Sequence, residues 1–227
     1  MTQPYVLLSV ATSIDGCIDD TGPDRLLLSN AADFDRVDQV RADSDAILIG
    51  AGTIRADNPR LIVYSDERRA ARVARGFPEY PLKVTVSASG KLDKSLNFWH
   101  HGGEKLVYTT DDSLPALREE LTGLAEVVSL GAMIDWSALL GELGDRGVQR
   151  LMVEGGGSVH TALLSRGLVD EINLAIAPIV VGEQGAPHFL NSSNYAQSST
   201  QRMTLAEAKT IGDIVLLRYL AKEFTGE

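Results

Sequence analysis

Apolar and polar residues follow one another along this chain in an order that predicts strands alternating with helices. Short aliphatic runs at 46–49 and 151–153 have the composition of buried parallel strands. After the second run, Val159, Leu163 and Leu164 recur at the 3.6-residue spacing of an amphipathic helix. This alternation predicts an α/β fold with a mostly parallel sheet.

The rest of the chain supports the same fold class. Further strands are predicted at 5–10, 82–87, 105–109 and 125–130, and helices at 30–41, 113–121 and 136–143. Ser29 or Asn30 is placed to cap the first helix, whose Phe34, Val37 and Val40 share one face. The arginine-rich stretch 65–80 predicts a solvated helix or a long loop.

The pattern changes after Leu168. Residues 169–181 and 211–220 are strand-like, and only loops are predicted between them, so we expect antiparallel strands added to the parallel sheet. The sequence contains no internal repeat and no linker-like tract. The simplest interpretation is therefore a single domain over residues 1–227.

Two of the predicted strands run directly into glycines, at Gly50–Gly52 and at Gly155–Gly157. Glycine accepts positive φ and lets a ligand approach the backbone, and a helix start offers unpaired N–H groups and a positive dipole end. Ligands of open α/β sheets bind outside the carboxyl ends of the strands. The two turns therefore predict one cleft for an elongated, phosphorylated ligand such as a nucleotide cofactor. The alternative is that both turns are tight connections without a ligand.

Composition narrows the possible partners. A net charge of −10 and a pI near 4.9 argue against nucleic acid, whereas a glycine turn can bind a small anion on an acidic protein. Neither a membrane span nor a signal peptide is indicated, and the single cysteine, Cys17, excludes an internal disulfide and a cysteine-based metal cluster. We expect a cytoplasmic protein that acts on a small molecule.

Five segments together resemble the reductase domain of the bacterial bifunctional riboflavin-biosynthesis deaminase/reductase, which is a 5-amino-6-(5-phosphoribosylamino)uracil reductase of the dihydrofolate reductase-like superfamily. Their number, order and spacing carry the resemblance, over residues 13–16, 50–61, 154–157, 163–171 and 177–182. It implies a three-layer α/β fold whose mixed sheet is mostly parallel, with antiparallel C-terminal strands, and a homodimer. No deaminase domain is present, so zinc is not expected.

The resemblance also implies the reaction, an NADPH-dependent reduction of a ribosylaminopyrimidine 5′-phosphate to its ribitylamino form. Two alternatives stay open: a related reductase of another heterocycle such as a dihydropterin, and a nucleotide-binding protein without turnover. The Tyr-x-x-x-Lys pair of short-chain dehydrogenases is absent, and the dinucleotide fingerprint at Gly50–Gly52 lacks its third glycine.

Site residues follow from the same resemblance. The implied cofactor contacts are Ala11, Gly52, Thr53, Asp57, Ser87, Gly155, Gly156, Gly157, Ser158 and Val159. Asp57 and Glu154 are the candidate catalytic residues, and Glu154 and Leu61 lie on the substrate side. By analogy with dihydrofolate reductases, a cis peptide is expected between two of the glycines.

Several of these residues have a second interpretation. The Thr53 hydroxyl is placed either to cap its helix or to bond the pyrophosphate, and Ala11 could be a small core residue. Asp57 could be an ordinary loop or first-turn aspartate, and Glu154 could cap the helix dipole.

The resemblance weakens on the substrate side. The family commonly has an arginine where this chain has Tyr64, and often a tryptophan where this chain reads Asp24–Leu28. Arg25 or Arg60 would then hold the substrate phosphate, since a guanidinium binds phosphate in a bidentate fork.

Overall fold

The computed structural model describes residues 3–221. Within that range the strands are β1 (Tyr5–Thr12), β2 (Ala46–Gly50), β3 (Leu82–Val86), β4 (Lys105–Thr109), β5 (Glu126–Ser129), β6 (Arg150–Gly155), β7 (Glu171–Ile176), β8 (Thr204–Ile211) and β9 (Ile214–Leu220). The helices are α1 (Ala31–Ala42), α2 (Ala51–Asp57), α3 (Asp66–Ala74), α4 (Asn97–His100), α5 (Leu114–Glu120), α6 (Trp136–Asp145) and α7 (Gly157–Leu164).

The described strands form one nine-stranded sheet in the order β5-β4-β3-β2-β6-β1-β7-β9-β8. The predicted fold class is confirmed, because the sheet is mostly parallel and its C-terminal strands are antiparallel. The chain divides into two compact units, one made of the segment ending at Tyr5 with Asp38–Met152, the other of Val6–Val37 with the chain from Val153 onward. The single-domain expectation stays a prediction.

The first unit is built on parallel strands. β2 pairs with β3 so that Gly50 lies opposite Val86, and β3, β4 and β5 continue in parallel. β2 is buried along its whole length, which is why its sequence is a continuous aliphatic run rather than an alternating one. Its Ile47 and Ile49 belong to a core cluster that also contains Phe98 and Trp99. These two rings meet edge to face, with their centroids 4.7 Å apart.

The second unit contains the antiparallel strands. β1 pairs in parallel with β7, and β7, β9 and β8 then pair antiparallel. Strand β8 was not predicted from the sequence, and the expected strand 169–181 is shortened to β7. Most of β8 is exposed, so it lacks the buried aliphatic pattern by which the other strands are recognised.

The predicted apolar face of α1 is wrong at Phe34, which is 45% exposed. Val37 and Val40 are half-buried, and Asp33 and Asp38 are buried. Each carboxylate has donors that offset the cost of burial: Asp33 accepts from the Ser29 hydroxyl, and Asp38 pairs with Arg68 of α3 at 3.0 Å. Polar contacts have overridden hydrophobic periodicity here.

The arginine-rich stretch contains one buried arginine. Its residues 66–74 form helix α3, capped by Ser65, whose hydroxyl accepts from the Arg68 N–H at 3.2 Å. Arg72 of that helix is only 2% exposed. The expectation of a fully solvated segment is therefore wrong at this position. No helix within residues 3–221 has the length and apolarity needed to span a bilayer.

Asn30 ties the start of α1 to the β8–β9 hairpin. Its Oδ1 accepts from the Asp33 N–H at 2.9 Å, as the capping prediction required, and its Nδ2 donates to the Ile211 carbonyl at 2.7 Å. We expect Asn30→Ala to lower the free energy of unfolding by about 1–2 kcal/mol, since a cap is worth about 1 kcal/mol and a hydrogen bond a similar amount. Urea unfolding measures the change. Asn30→Ser, which keeps a capping oxygen, should lose less. Equal losses in the two variants would show that the cap contributes nothing.

Candidate functional site

The first predicted turn connects β2 to α2. Gly50 is the N-cap of α2 in an ordinary extended conformation (φ −72°), with no side chain bonded to the helix start. Gly52 is exposed, and Thr53 is the third residue of the helix. The interpretation of Thr53 as a cap is therefore wrong, because the cap position belongs to Gly50.

Asp57 is the last residue of α2 and is half-buried. The negative end of the helix dipole lies there, and a carboxylate at that end is disfavoured. The interpretation as a first-turn aspartate is wrong, since Asp57 lies at the opposite end. Asp57 therefore does not stabilise α2 through the helix dipole, and its role toward a ligand stays a prediction.

Ser87 follows directly after β3, and its main chain is fully engaged. Its N–H donates to the Tyr108 carbonyl at 3.0 Å, and its carbonyl accepts from the Thr109 hydroxyl at 2.7 Å. Its own Oγ is buried and has no hydrogen-bond partner in the described part of the chain. An unsatisfied buried hydroxyl costs free energy, so this oxygen fits a contact to a polar ligand group. Because β2 and β3 are parallel neighbours, Ser87 lies at the same sheet edge as the start of α2.

The loop after α2 carries two residues with left-handed backbone, Asn58 (φ 43°) and Leu61 (φ 50°). Leu61 is only 4% exposed and belongs to the same core cluster as Ile54. Arg60, between them, is exposed. The Leu61 side chain therefore serves packing, and only its main chain is left to face a substrate.

The second predicted turn connects β6 to α7. The expected cis peptide is present, between Gly155 and Gly156, and Gly155 has a positive φ of 142°. Gly156 is the N-cap of α7 and no side chain bonds to this helix start. Since the first N–H groups of a helix have no partner within it, this end of α7 is suited to bind an anion.

Gly157, the first residue of α7, is fixed by a close contact. A Cβ there would lie 2.3 Å from the His188 carbonyl oxygen, a backbone atom that cannot move aside. The remaining predicted residues of this turn surround it: Glu154 is half-buried at the end of β6, Ser158 is exposed, and Val159 is buried. Only glycine at 157 allows the segment around His188 to pack against this helix start.

Two other residues of the second unit, Ala11 and His160, pack against apolar neighbours. Ala11 is half-buried near the end of β1, pairs in register with Ala175 and packs against a small apolar cluster, which supports its interpretation as a core residue. His160 is fully buried with its ring 5.4 Å from that of Phe189, and burial lowers the pKa of His160 to about 4. It is therefore neutral at pH 7 and adds no positive charge to the helix start.

Sequence reasoning missed the segment around His188. The Ile18 N–H donates to the Pro187 carbonyl at 2.8 Å, and the Phe189 N–H donates to the Gly16 carbonyl at 3.1 Å. This segment thus packs on the loop after β1 as well as on α7. The only signal in the sequence was Gly157. A glycine at this position indicates that another part of the chain packs closely against it, but not which part.

Asp15 shapes the loop after β1. Its carboxylate accepts from the Ser13 hydroxyl at 2.6 Å, the Gly182 N–H at 2.7 Å and the Val181 N–H at 3.1 Å. These bonds hold the pKa of Asp15 well below its usual range. The residue is therefore a structural carboxylate of this loop.

The predicted residues are divided between the two units. The first unit holds Gly52, Thr53, Asp57, Arg60, Leu61 and Ser87; the second holds Ala11, Arg25, Glu154, Gly155, Gly156, Gly157, Ser158 and Val159. Arg25 is exposed in the loop between β1 and α1. Within residues 3–221, no group of three or more His, Cys, Asp or Glu side chains is arranged to hold a metal ion.

Comparison with known proteins agrees with the fold and the motifs. The family model of the RibD C-terminal domain matches residues 4–217. A 2,5-diamino-6-ribosylamino-4(3H)-pyrimidinone 5′-phosphate reductase of Archaeoglobus fulgidus is 37% identical over 85% of this chain and 89% of its own length. The protein of the same name from Methanothermobacter thermautotrophicus is 30% identical over 97% of this chain and 99% of its own length.

A solved structure gives the same fold. The pyrimidine reductase-like protein from Corynebacterium diphtheriae superposes with a TM-score of 0.80 at 24% identity, over 96% of this chain and 91% of that one. Since the curated relatives are reductases, the expectation of an oxidoreductase is confirmed. The motifs of this chain resemble a riboflavin-biosynthesis reductase domain, and the family model matches almost the whole chain. The chain belongs to the RibD C-terminal domain family.

Proposed function

We propose that this protein is an NADPH-dependent reductase of riboflavin biosynthesis, which transfers hydride to a ribosylaminopyrimidine 5′-phosphate and gives the ribitylamino product. The observation that carries the proposal is the 37% identity, over 85% of this chain, to a reductase named for such a substrate. The electron balance is simple. In the ring-opened substrate the C1′–O4′ bond has broken, the amine proton has moved to O4′, and C1′ is doubly bonded to nitrogen. C1′ then gains a hydride and the nitrogen gains a proton from solvent, while NADPH is oxidised to NADP⁺.

The base of the substrate is the next question. Both reductases compared above are named for the 2,5-diaminopyrimidinone, whereas the resemblance in the sequence was to an aminouracil reductase. We propose the diaminopyrimidinone as the preferred substrate. The diaminopyrimidinone carries an exocyclic amino group where the uracil carries a carbonyl oxygen. The N–H of this amino group can donate a hydrogen bond to a carboxylate. Glu154, half-buried at the end of β6, is the residue proposed to accept it.

The cofactor supplies the hydride, and the protein binds and orients it. We propose that the uncapped start of α7, with Gly155, Gly156, Gly157, Ser158 and Val159, binds the pyrophosphate through main-chain N–H groups. Gly52, Thr53 and Asp57 would hold the nicotinamide half, with the Asp57 carboxylate on ribose hydroxyls. The unpartnered, buried Ser87 Oγ supports a contact to the adenosine 2′-phosphate.

The substrate phosphate needs cationic partners. Arg25 and Arg60 are both exposed and are proposed to bind it through their planar guanidinium groups. The Leu61 main chain, held in its left-handed conformation, completes this side. Holding the two reacting carbons at near-attack distance, roughly 3–3.5 Å, is the main catalytic contribution we propose for these residues.

The first prediction from the proposed function concerns the reaction itself. NADPH oxidation, followed at 340 nm, should require a ribosylaminopyrimidine 5′-phosphate, and the diaminopyrimidinone should be used more efficiently than the aminouracil. Glu154→Gln should lower kcat/KM for the substrate about 100-fold, since a bond to a charged group contributes about 1.5–3 kcal/mol, while the Kd for NADPH stays unchanged.

Glu119→Gln, at an exposed position of α5, is the control and should behave as wild type. Oxidation with a dihydropterin instead would establish the alternative substrate. Tight NADPH binding without oxidation by any substrate would establish a binding protein and overturn the proposal.

Ser87 generates the second prediction. Removing its hydroxyl by Ser87→Ala should lower kcat/KM for NADPH about tenfold and leave the value for NADH unchanged, because only NADPH carries the 2′-phosphate. Ser89→Ala, in the exposed part of the same loop, is the control. An unchanged NADPH/NADH ratio in Ser87→Ala would remove this residue from the phosphate site.

The third prediction is a homodimer. Strand β8 lies at one end of the strand order, so one of its edges has no strand partner within the described residues, and Leu205 is 52% exposed there. Uncovered edges of this kind readily pair with another chain. Light scattering at micromolar concentration should give twice the monomer mass, and Leu205→Lys should reduce it. A monomeric wild type at that concentration would contradict the expectation.

A further inference from the structure

A buried lysine, distant in sequence from both glycine turns, holds the loop that follows α2. Lys83 of β3 is 1% exposed. Its Nζ donates to the Arg60 carbonyl at 2.8 Å, to the His101 carbonyl at 2.9 Å, and to the Phe98 carbonyl. An ammonium group has three N–H donors, and here each of them has a main-chain acceptor.

These acceptors come from two separate segments. Arg60 belongs to the loop after α2, whereas Phe98 and His101 belong to α4 and the residue that follows it. The two segments also touch directly, because a Cβ on Gly102 (φ 70°) would lie 2.9 Å from Cγ2 of Ile62. Lys83 therefore fastens the loop after α2 to the end of α4.

The loop needs such a fastening. Asn58 and Leu61 both have left-handed backbone, a conformation that is strained for leucine and better tolerated by asparagine. Such a conformation persists only where its surroundings fix it. A second tie acts at the other end of the loop, where the Asn97 N–H donates to Asn58 Oδ1 at 2.6 Å.

Burying the charged Lys83 side chain costs free energy. Burial, with the nearby cations of Lys105 and Arg41, lowers the pKa of Lys83 to about 7. The face of the Phe98 ring, 4.3 Å from Nζ, and the three carbonyls offset part of that cost. Apolar residues often replace buried charges without loss of stability, so a requirement for position accounts better for this lysine than stability does.

We infer that Lys83 is a positioning residue for the reaction: by fixing the Arg60 carbonyl and the left-handed backbone of Leu61, it sets the substrate side of the site. The inference rests on the proposed function, in which Arg60 and Leu61 contact the substrate. Because Lys83 is 1% exposed and its donors are engaged, we do not propose that it contacts substrate or cofactor. The class of ligand affected is the phosphorylated pyrimidine, not the nicotinamide cofactor.

The chain provides a matched control in Arg72. This residue is equally buried, and it also donates to three main-chain carbonyls, those of Ala42 and Ser44, each at 2.7 Å, and of Pro78 at 3.0 Å. None of these lies in the loop after α2. Arg72→Met therefore removes a comparable buried cation without releasing that loop.

The experiment compares Lys83→Met, Lys83→Gln and Lys83→Arg with Arg72→Met and wild type. Hydrogen exchange of peptides covering residues 57–63 reports the loop without any ligand, and steady-state kinetics give KM for the pyrimidine phosphate and for NADPH. We expect Lys83→Met to speed exchange in this segment at least tenfold and to raise the substrate KM about tenfold, with the NADPH KM within twofold of wild type. Lys83→Arg should restore both values toward wild type, and Arg72→Met should change neither.

Other results overturn the inference. Unchanged exchange at 57–63 in Lys83→Met, equal changes in Arg72→Met, or parallel increases in the two KM values would show that Lys83 is only a core residue. If Lys83→Met does not fold, Lys83→Gln, which keeps an amide with two donors, carries the same comparison with smaller changes. An inactive wild type would refute the proposed function, while the exchange measurements would still decide whether Lys83 holds the loop.

Discussion

The candidate site depends on one close packing contact, between the start of α7 and the segment around His188. The His188 carbonyl lies where a Cβ of residue 157 would be, so the chain can pass there only over glycine. The same glycines leave the helix start without a capping side chain. The Val159 N–H donates to the Gly156 carbonyl at 2.9 Å, and no capping side chain would compete with a ligand for the N–H groups ahead of it. Packing thus requires glycine at this turn, and the binding that we propose there is compatible with the same residue type.

Two kinds of buried polar group in the first unit have different meanings. The Ser87 hydroxyl is buried and lacks a partner, whereas the Lys83 ammonium is buried and has all its donors engaged. An unsatisfied group has something to gain from a ligand, while a satisfied one can only hold the groups that it already contacts. Because of this difference we propose a binding role for Ser87 and a positioning role for Lys83, although Lys83 lies in β3 and Ser87 directly follows it.

Sequence reasoning succeeded where one local rule decided the outcome. The buried strands ending at Gly50 and Gly155 follow from aliphatic runs, and the helix starts follow from the glycines after them. It failed where distant residues decided. Asp38 is buried because its partner Arg68 comes from another segment, and β8 forms because β9 lies beside it. The three carbonyls around Lys83 likewise come from segments that no spacing rule connects to it.

The contacts of the arginines show how this acidic protein uses its cations. Helix α3 contains three arginines, Arg68, Arg69 and Arg72. In the structure Arg68 pairs with Asp38, Arg69 with Asp66 and Glu79, and Arg72 with main-chain carbonyls. These cations stabilise the protein itself. The phosphorylated ligands proposed for a protein with a net charge of −10 would then be bound by main-chain N–H groups and a few exposed arginines. The start of α7, Arg25 and Arg60 are the groups that we propose for this role.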